Sequence, residues 1–499
     1  MNTVYLSQNV SVITLVLTSI TFVAIGIFYS KGKVAISSYL NADRSIGRKS
    51  LTASLVASCF GVWILIGPSE AATWGGLGAV IGYALGQALP YFAFIFIGKR
   101  MRNIMPEGNS LTQFVFIRFG GAMFKLILAL SIFYMFVYLC AEVTAIAKVT
   151  NLISGFPLWQ TSLLIIITTL SYTLYGGLRA SIFTDKIQFI IIIILLIISI
   201  YTIFNIETNT FSVEQIKEKA GVLISGKYFY GYTAGLTFFI AVFATNLFDQ
   251  GVWQRVYAAK SNKDLTYGFM SAALIILPFL LILGFFGILS VTLGLDKDPS
   301  TVFFSLILNP VSGYNSLLSI SILILVLSLV ISSMDTLINA ISSLIVVNGD
   351  KFIKLDSKDL RKLSYYLISA MSVVVFAISS KGYSVLFMFL FADLLCCAAV
   401  FPIFYSMYNK YVSKKLGFIS VISGLVSGLL MFPNQTFEKS LLIGNFLPSS
   451  YFPTWVSTAL LFWSFILATF IPFLIIIFFI NKDKIFNFRI LKNSVRKIR

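Results

Sequence analysis

Tyr175-Gly176-Gly177-Leu178-Arg179-Ala180, followed by Thr184-Asp185-Lys186-Ile187-Gln188, is a polar interruption in a chain otherwise built as a succession of apolar runs. A glycine pair, a basic residue, an acid and an amide serve no purpose facing lipid. The stretch is therefore expected in a short connection between two helices. The runs on either side are each long enough to cross a hydrocarbon core of about 30 Å as helices of roughly 20 residues. Working outward, such runs recur at 9–29, 50–73, 76–98, 121–147, 157–174, 183–205, 229–252, 267–294, 313–348, 362–380, 384–407, 416–433 and 456–480. The fold expected is an all-α polytopic membrane protein of about thirteen transmembrane helices. It forms a single integral domain over 1–499, since the longest loops are too short for a core of their own.

Composition agrees. A chain of 499 residues with 58% hydrophobic and 11% charged residues is not a soluble globule, where charge approaches a quarter of the total. The net charge of +18 invites a polyanion partner, but position removes that appeal. Lys31, Lys33, Arg44, Arg48 and Lys49 follow the first run; Lys99, Arg100, Arg102 and Arg118 follow the third. Arg179 with Lys186, Arg255 with Lys260 and Lys263, Lys351 to Lys362, Lys410 to Lys415 and the tail from Lys482 fall on the same side. The positive-inside rule then puts the N-terminus outside, the C-terminus in the cytoplasm and the protein in the cell (inner) membrane, with no nucleic-acid partner. The first run lacks a basic leader and a small-residue cleavage site and reads as a retained helix. No histidine occurs, which excludes imidazole chemistry. Cys59, Cys140, Cys396 and Cys397 lie within apolar runs and read as buried thiols. No enzyme is indicated, because a buried nucleophile with its base is missing.

With these residues in view, the chain resembles the sodium:solute symporters, whose members carry proline, pantothenate, choline, sugars and iodide. The likeness runs from about Tyr39 to Tyr408. It rests on the quoted stretch, on Gln254-Arg255-Val256-Tyr257-Ala258-Ala259-Lys260, and on Ser332-Ser333-Met334-Asp335 through Ser342-Ser343. The resemblance implies leucine-transporter architecture: a leading helix at 9–29, inverted five-helix repeats at about 50–205 and 229–407, and trailing helices at 416–433 and 456–480. It also implies Na+ as coupling ion and no other cofactor. Sodium would be bound by the carbonyls of Ala57, Phe60 and Leu329 with the hydroxyls of Ser332 and Ser333. Asp185 would stand on the route of sodium release. Substrate sites of the family draw on the second, fourth, seventh and eleventh spans, which brings Trp63, Glu142 and Asn246 to the solute.

The residues themselves bear on each assignment. Ala57 to Gly61, then Gly67-Pro68, can break a helix and expose carbonyls to a cation. Ser332 and Ser333 either ligate that cation or bond their own helix. Asp335 either strengthens cation binding, takes up a proton, contacts a cationic solute or bonds nearby hydroxyls, and it must face the bundle interior. Asp185 is alternatively a solvated loop acid paired with Lys186 or Arg179. Trp63 is a flat wall or a packing residue. Cys59 stands where the proline carriers have an acid, and Ile64 where a galactose-type carrier has Gln. The expected function is sodium-coupled uptake of proline, another amino acid, pantothenate or urea by a monomer in the bilayer. The alternatives are proton coupling through Asp335 or Glu142, a channel, or a non-transporting sensor. A channel needs a polar stripe along several helices, and the polar groups here cluster in only a few.

Overall fold

The computed structural model describes residues 5–29, 36–204, 213–308, 316–481 and 485–494. The side chains of Tyr175, Arg179 and Ala180 lie outside the described residues, as do Lys31, Lys33, Lys482 and the tail beyond Ser494. Eleven described helices are long and apolar enough to cross a membrane, and Leu158–Ser171 is a shorter apolar one. Their ends are sealed by side chains where the apolar runs stop. Ser110, Ser261, Asp356, Ser384 and Ser413 each accept a backbone N–H of the first turn that follows.

The missing crossing comes from a helix that doubles back. Trp63–Ile104 contains 42 residues, about twice what a bilayer needs. Gly76 breaks it with φ 55° and ψ −150°, a conformation open only to glycine. The two ends of the excursion return to one place. Lys260 N donates to Ile46 O (2.9 Å), and Arg102 Nη1 donates to Ala259 O (2.8 Å). The spans expected at 50–73 and 76–98 are thus a hairpin with its apex at Gly76.

Leu158–Phe204, 47 residues long, behaves alike. Thr169 Oγ1 lies 3.8 Å from Met334 Sδ and Asp185 Oδ1 lies 2.9 Å from Ser332 Oγ, so both meet one level of one neighbouring helix. In a straight helix sixteen residues would separate them by about 24 Å. The chain reverses between them, with Leu178 and Ile182 packed on Ala42 and Ala258 at the end opposite Phe204 and Phe286. The quoted motif is the apex of this second hairpin. With both hairpins counted as pairs, the described helices make the thirteen passes expected.

Helices divide by what surrounds them. Ser316–Asn348 is buried along nearly its whole length. Gln8–Tyr29, Ser357–Ser379 and Leu460–Phe479 leave Leu17, Val373 and Phe478 exposed, apolar groups that suit lipid contact. Where the second arm of Trp63–Ile104 meets Phe229–Phe248, the helices touch backbone to backbone. A Cβ on Gly78 would overlap the Gly231 carbonyl, and one on Gly82 the Gly235 carbonyl. Such small-residue seams let membrane helices approach closely enough for dispersion to hold them. Gly82→Ala is therefore expected to cost about 1–3 kcal/mol. It should lower the melting temperature of the purified protein, whereas Gly226→Ala, with nothing within 4 Å of its Cβ, should not. Equal melting temperatures would show that the seam yields freely.

Candidate functional site

Two helix breaks face each other near the middle of the bundle. The first lies between Arg48–Cys59 and Trp63–Ile104, where Phe60 leaves the helix at ψ 82°. Gly61 N turns to Cys59 O (3.0 Å), and Ile64 N to Gly61 O (3.3 Å). In a continuous helix those two N–H groups would go to Ala57 O and Phe60 O. The break thus withdraws the helical partners of both carbonyls.

The second break lies at Asp249 (ψ 112°), between Phe229–Phe248 and Gln250–Ala258. The two breaks are finished with the same pair of devices. At the first, Trp63 Nε1 donates to Cys59 O (3.0 Å), and Glu142 Oε2 accepts from Val62 N (3.0 Å). At the second, Trp253 Nε1 donates to Leu247 O (2.8 Å), and Asp249 Oδ1 accepts from Val252 N (2.8 Å). An indole N–H satisfies the carbonyl end of one half-helix, and a carboxylate satisfies the amide end of the next.

Between the breaks lies a narrow cavity of about 60 Å³. Trp63, Glu142 and Asn246, the three residues expected at the solute, all line it. Trp63 stacks on Tyr83 (5.8 Å between centroids), which stacks on Phe238 (5.0 Å). Asn246 exchanges two hydrogen bonds with Gln87 across the cavity (2.8 and 3.0 Å). Glu142 is 1% exposed, with Ser333 and the Trp63 backbone beside its carboxyl as well as Val62. A Cβ on Gly61 would overlap Glu142 Oε1, so a larger residue there would displace that carboxyl.

Beside the first break, a buried polar cluster joins four helices. Asp185 Oδ2 accepts from Ser54 Oγ (2.6 Å) and from Arg255 Nη2 (2.8 Å), and Asp185 Oδ1 accepts from Ser332 Oγ (2.9 Å). Arg255 also donates to Ser54 (2.8 Å), Gly251 O (3.1 Å) and Thr336 (3.1 Å). One carboxylate therefore holds the turn that ends in Ala57 against the turn that carries Ser332. Ser333 Oγ donates to Val330 O (3.1 Å) on its own helix and also borders the cavity. Ala57, Phe60 and Leu329 are fully buried.

Two expectations are corrected. Asp185 is no solvated loop acid: it is wholly buried and its cation is Arg255, not Lys186. Arg255 is no loop residue of the inner face: the break at Asp249 sends the short helix Gln250–Ala258 through the core with Arg255 fully enclosed. Asp335 does not line the cavity. Its Oδ1 accepts from Asn339 Nδ2 (2.9 Å), and the hydroxyls of Ser181 and Thr173 lie against its carboxyl. Asp393 stands behind the cavity wall, accepting from Tyr138 (2.8 Å) and Thr245 (2.7 Å).

Sequence reasoning missed the role of Asp249 and the indole caps of Trp63 and Trp253. The signal for the cap was an acid three residues before Val252, just after a long apolar run.

Known proteins place this geometry. A model of the sodium:solute symporter family matches residues 39–424. The chain is 27% identical over 380 residues to the spermidine transporter DUR31 of Candida albicans, covering 75% of this chain and 70% of that protein. It is 26% identical over 293 residues to a sodium/glucose cotransporter of Vibrio parahaemolyticus, 52% of each chain. Its backbone is similar to that of a Na+-coupled sialic acid symporter in a substrate-bound outward-open state, with TM-score 0.68 at 15% identity over 93% of this chain and 98% of that one. It is also similar to MHP1, a nucleobase-cation-symport-1 family transporter, with TM-score 0.51 at 13% identity over 92% and 98%. These neighbours share the leucine-transporter fold of paired broken helices. The chain belongs to the sodium:solute symporter family, a family of multi-pass membrane transporters and not of enzymes.

Proposed function

We propose that this chain uses the sodium gradient to drive a small organic solute into the cell through the cavity between the two breaks. The observation that carries the reading is the release of the Ala57 and Phe60 carbonyls from helical bonding, at the end of the turn that Asp185 ties to Ser332. Those two oxygens, Leu329 O, and the hydroxyls of Ser332 and Ser333 would hold the ion, since unwound backbone carbonyls and neutral hydroxyls suit sodium. Ser333 Oγ has only to turn from Val330 O. Asp185 draws the ion toward the inner side when Ser332 lets go. Trp63, Glu142 and Asn246 contact the solute. Proline, another amino acid, pantothenate and urea are candidate solutes; the likeness to a spermidine transporter adds a polyamine.

One observation favours proton coupling instead: the Asp335 carboxyl is buried among neutral partners, Asn339, Ser181 and Thr173. The test loads proteoliposomes and follows accumulation of labelled solutes under a sodium gradient alone and a proton gradient alone, for the wild type and Asp335→Asn. Accumulation driven by sodium alone, kept in Asp335→Asn with an altered half-saturating sodium concentration, is the expected result. Accumulation under protons alone, abolished in Asp335→Asn while solute exchange persists, would make Asp335 the proton carrier.

The proposal includes topology and state. The protein acts as a monomer in the cell membrane, with two inverted repeats at about 50–205 and 229–407, its N-terminus outside and its C-terminus cytoplasmic. Clustering of basic residues on one set of connections supports that orientation. In a background without native cysteine, a cysteine at exposed Lys227 should react with a membrane-impermeant thiol reagent from outside. One at exposed Lys358 should react only after the membrane is opened. Labelling in the opposite sense would reverse the orientation.

A further inference from the structure

The amide end of a broken helix is where such carriers seat an anionic group of the solute, because free N–H groups and the helix dipole both favour negative charge there. This chain fills both ends itself. Glu142 holds the Val62 N–H, and Asp249 holds the Val252 N–H. A solute carboxylate brought into the cavity would find neither end open and would meet two carboxyl groups at short range.

The charge balance of the cavity is also one-sided. Glu142 and Asp249 line it, Asp393 stands directly behind Tyr138 and Thr245, and none of the lining residues is basic. Arg255 donates to Gly251 O near Asp249, but its ion pair is with Asp185. The Glu142 carboxyl is buried at the wall with neutral donors at Val62 and Ser333 and, among the described residues, no ion pair. Aromatic rings also line it, Trp63 stacked on Tyr83 together with Tyr91, Tyr138 and Phe389. Ring faces attract cations through their quadrupoles, more strongly in a site shielded from water.

From these features we infer that the transported solute is an organic cation without a carboxylate, an alkylamine or quaternary ammonium whose charged nitrogen sits between Glu142 and the Trp63–Tyr83 stack. Proline and pantothenate, which carry carboxylates, and neutral urea are excluded on the same grounds. The inference rests on the cavity being the solute site proposed above.

The test separates the two readings by measuring binding and transport independently. Purified protein is titrated with putrescine, choline, proline, pantothenate and urea in a thermal-shift assay, and the same solutes are followed into proteoliposomes under a sodium gradient. Putrescine or choline should raise the melting temperature and the other three should not. Glu142→Gln keeps an oxygen for the Val62 N–H, and Asp249→Asn keeps a capping side chain, so both variants are built to fold. Each should raise the half-saturating amine concentration at least tenfold. If Glu142→Gln does not fold, Asp249→Asn and the solute ranking carry the test.

Amine binding with no sodium-driven accumulation would uphold the inference and overturn the coupling. Sodium-driven accumulation of proline, pantothenate or urea in preference to amines would uphold the coupling and overturn the inference. Amine affinity unmoved by both variants, with sodium affinity lowered in Glu142→Gln, would also overturn it and make Glu142 an ion ligand.

Discussion

Arg255→Met is expected to remove most of the folded protein from the membrane. The guanidinium is fully enclosed and makes four hydrogen bonds, to Ser54, Gly251, Asp185 and Thr336. Methionine fills similar volume but supplies no charge, so Asp185 is left in the core without its cation beside two serine hydroxyls. Breaking a buried pair by deleting one partner costs about 3–5 kcal/mol. That is a large share of the roughly 5–15 kcal/mol that holds a typical protein folded. Removing both charges is far cheaper, because no orphan remains. The double variant Arg255→Met with Asp185→Asn should recover much of the yield of monodisperse protein and of the melting temperature. The non-additivity of the cycle measures the coupling directly. Wild-type stability in Arg255→Met alone would show that Asp185 is held by its serines and that the ion pair contributes little. A stable double variant should still transport poorly, since Asp185 is the group proposed to receive sodium from Ser332.

The membrane class and the number of passes were legible because hydropathy sums over some twenty residues, and local errors average out. The hairpins were legible as pairs of runs, although Gly76 marks its apex by φ and not by any polar residue. Trp63, Glu142 and Asn246 were brought together through family resemblance to the helices that carry them. Their partners Tyr83 and Gln87 come from the third span and had no signal of their own. Arg255 was illegible for a physical reason: counting Lys and Arg between apolar runs treats every such residue as a loop residue. A helix broken at Asp249 carries its own basic residue into the core. Asp185 was misjudged in one of its readings by the same route, since its cation in space is Arg255, seventy residues away, and not the neighbouring Lys186. The carboxylate and indole caps at the two breaks depend on chain reversal and long-range packing, which spacing along one strand of sequence does not encode.

Ser332→Ala combined with Ser333→Ala should raise the sodium concentration for half-maximal uptake by at least tenfold while the protein still reaches the membrane. Each hydroxyl offers one neutral oxygen to the proposed ion. A hydrogen bond or comparable contact to a charged group is worth about 1.5–3 kcal/mol, and about 1.4 kcal/mol is tenfold in affinity. The two serines differ in what else they lose. Ser332 Oγ donates to Asp185 (2.9 Å), so its removal also strips a donor from a buried carboxylate that retains Ser54 and Arg255. Ser333 Oγ donates to Val330 O, a carbonyl one turn back within the same helix, and lies beside the Glu142 carboxyl, so its loss takes no donor from Asp185. Ser333→Ala alone therefore changes little in the sodium-free protein, and any fall in sodium affinity it causes reports on ligation. Uptake is measured against sodium at saturating solute, with membrane expression measured in parallel. If Ser333→Ala and the double variant both keep the wild-type sodium response at normal expression, the ion is held elsewhere. Glu142 is then the next place to look, since its buried carboxyl lines the same cavity as Ser333.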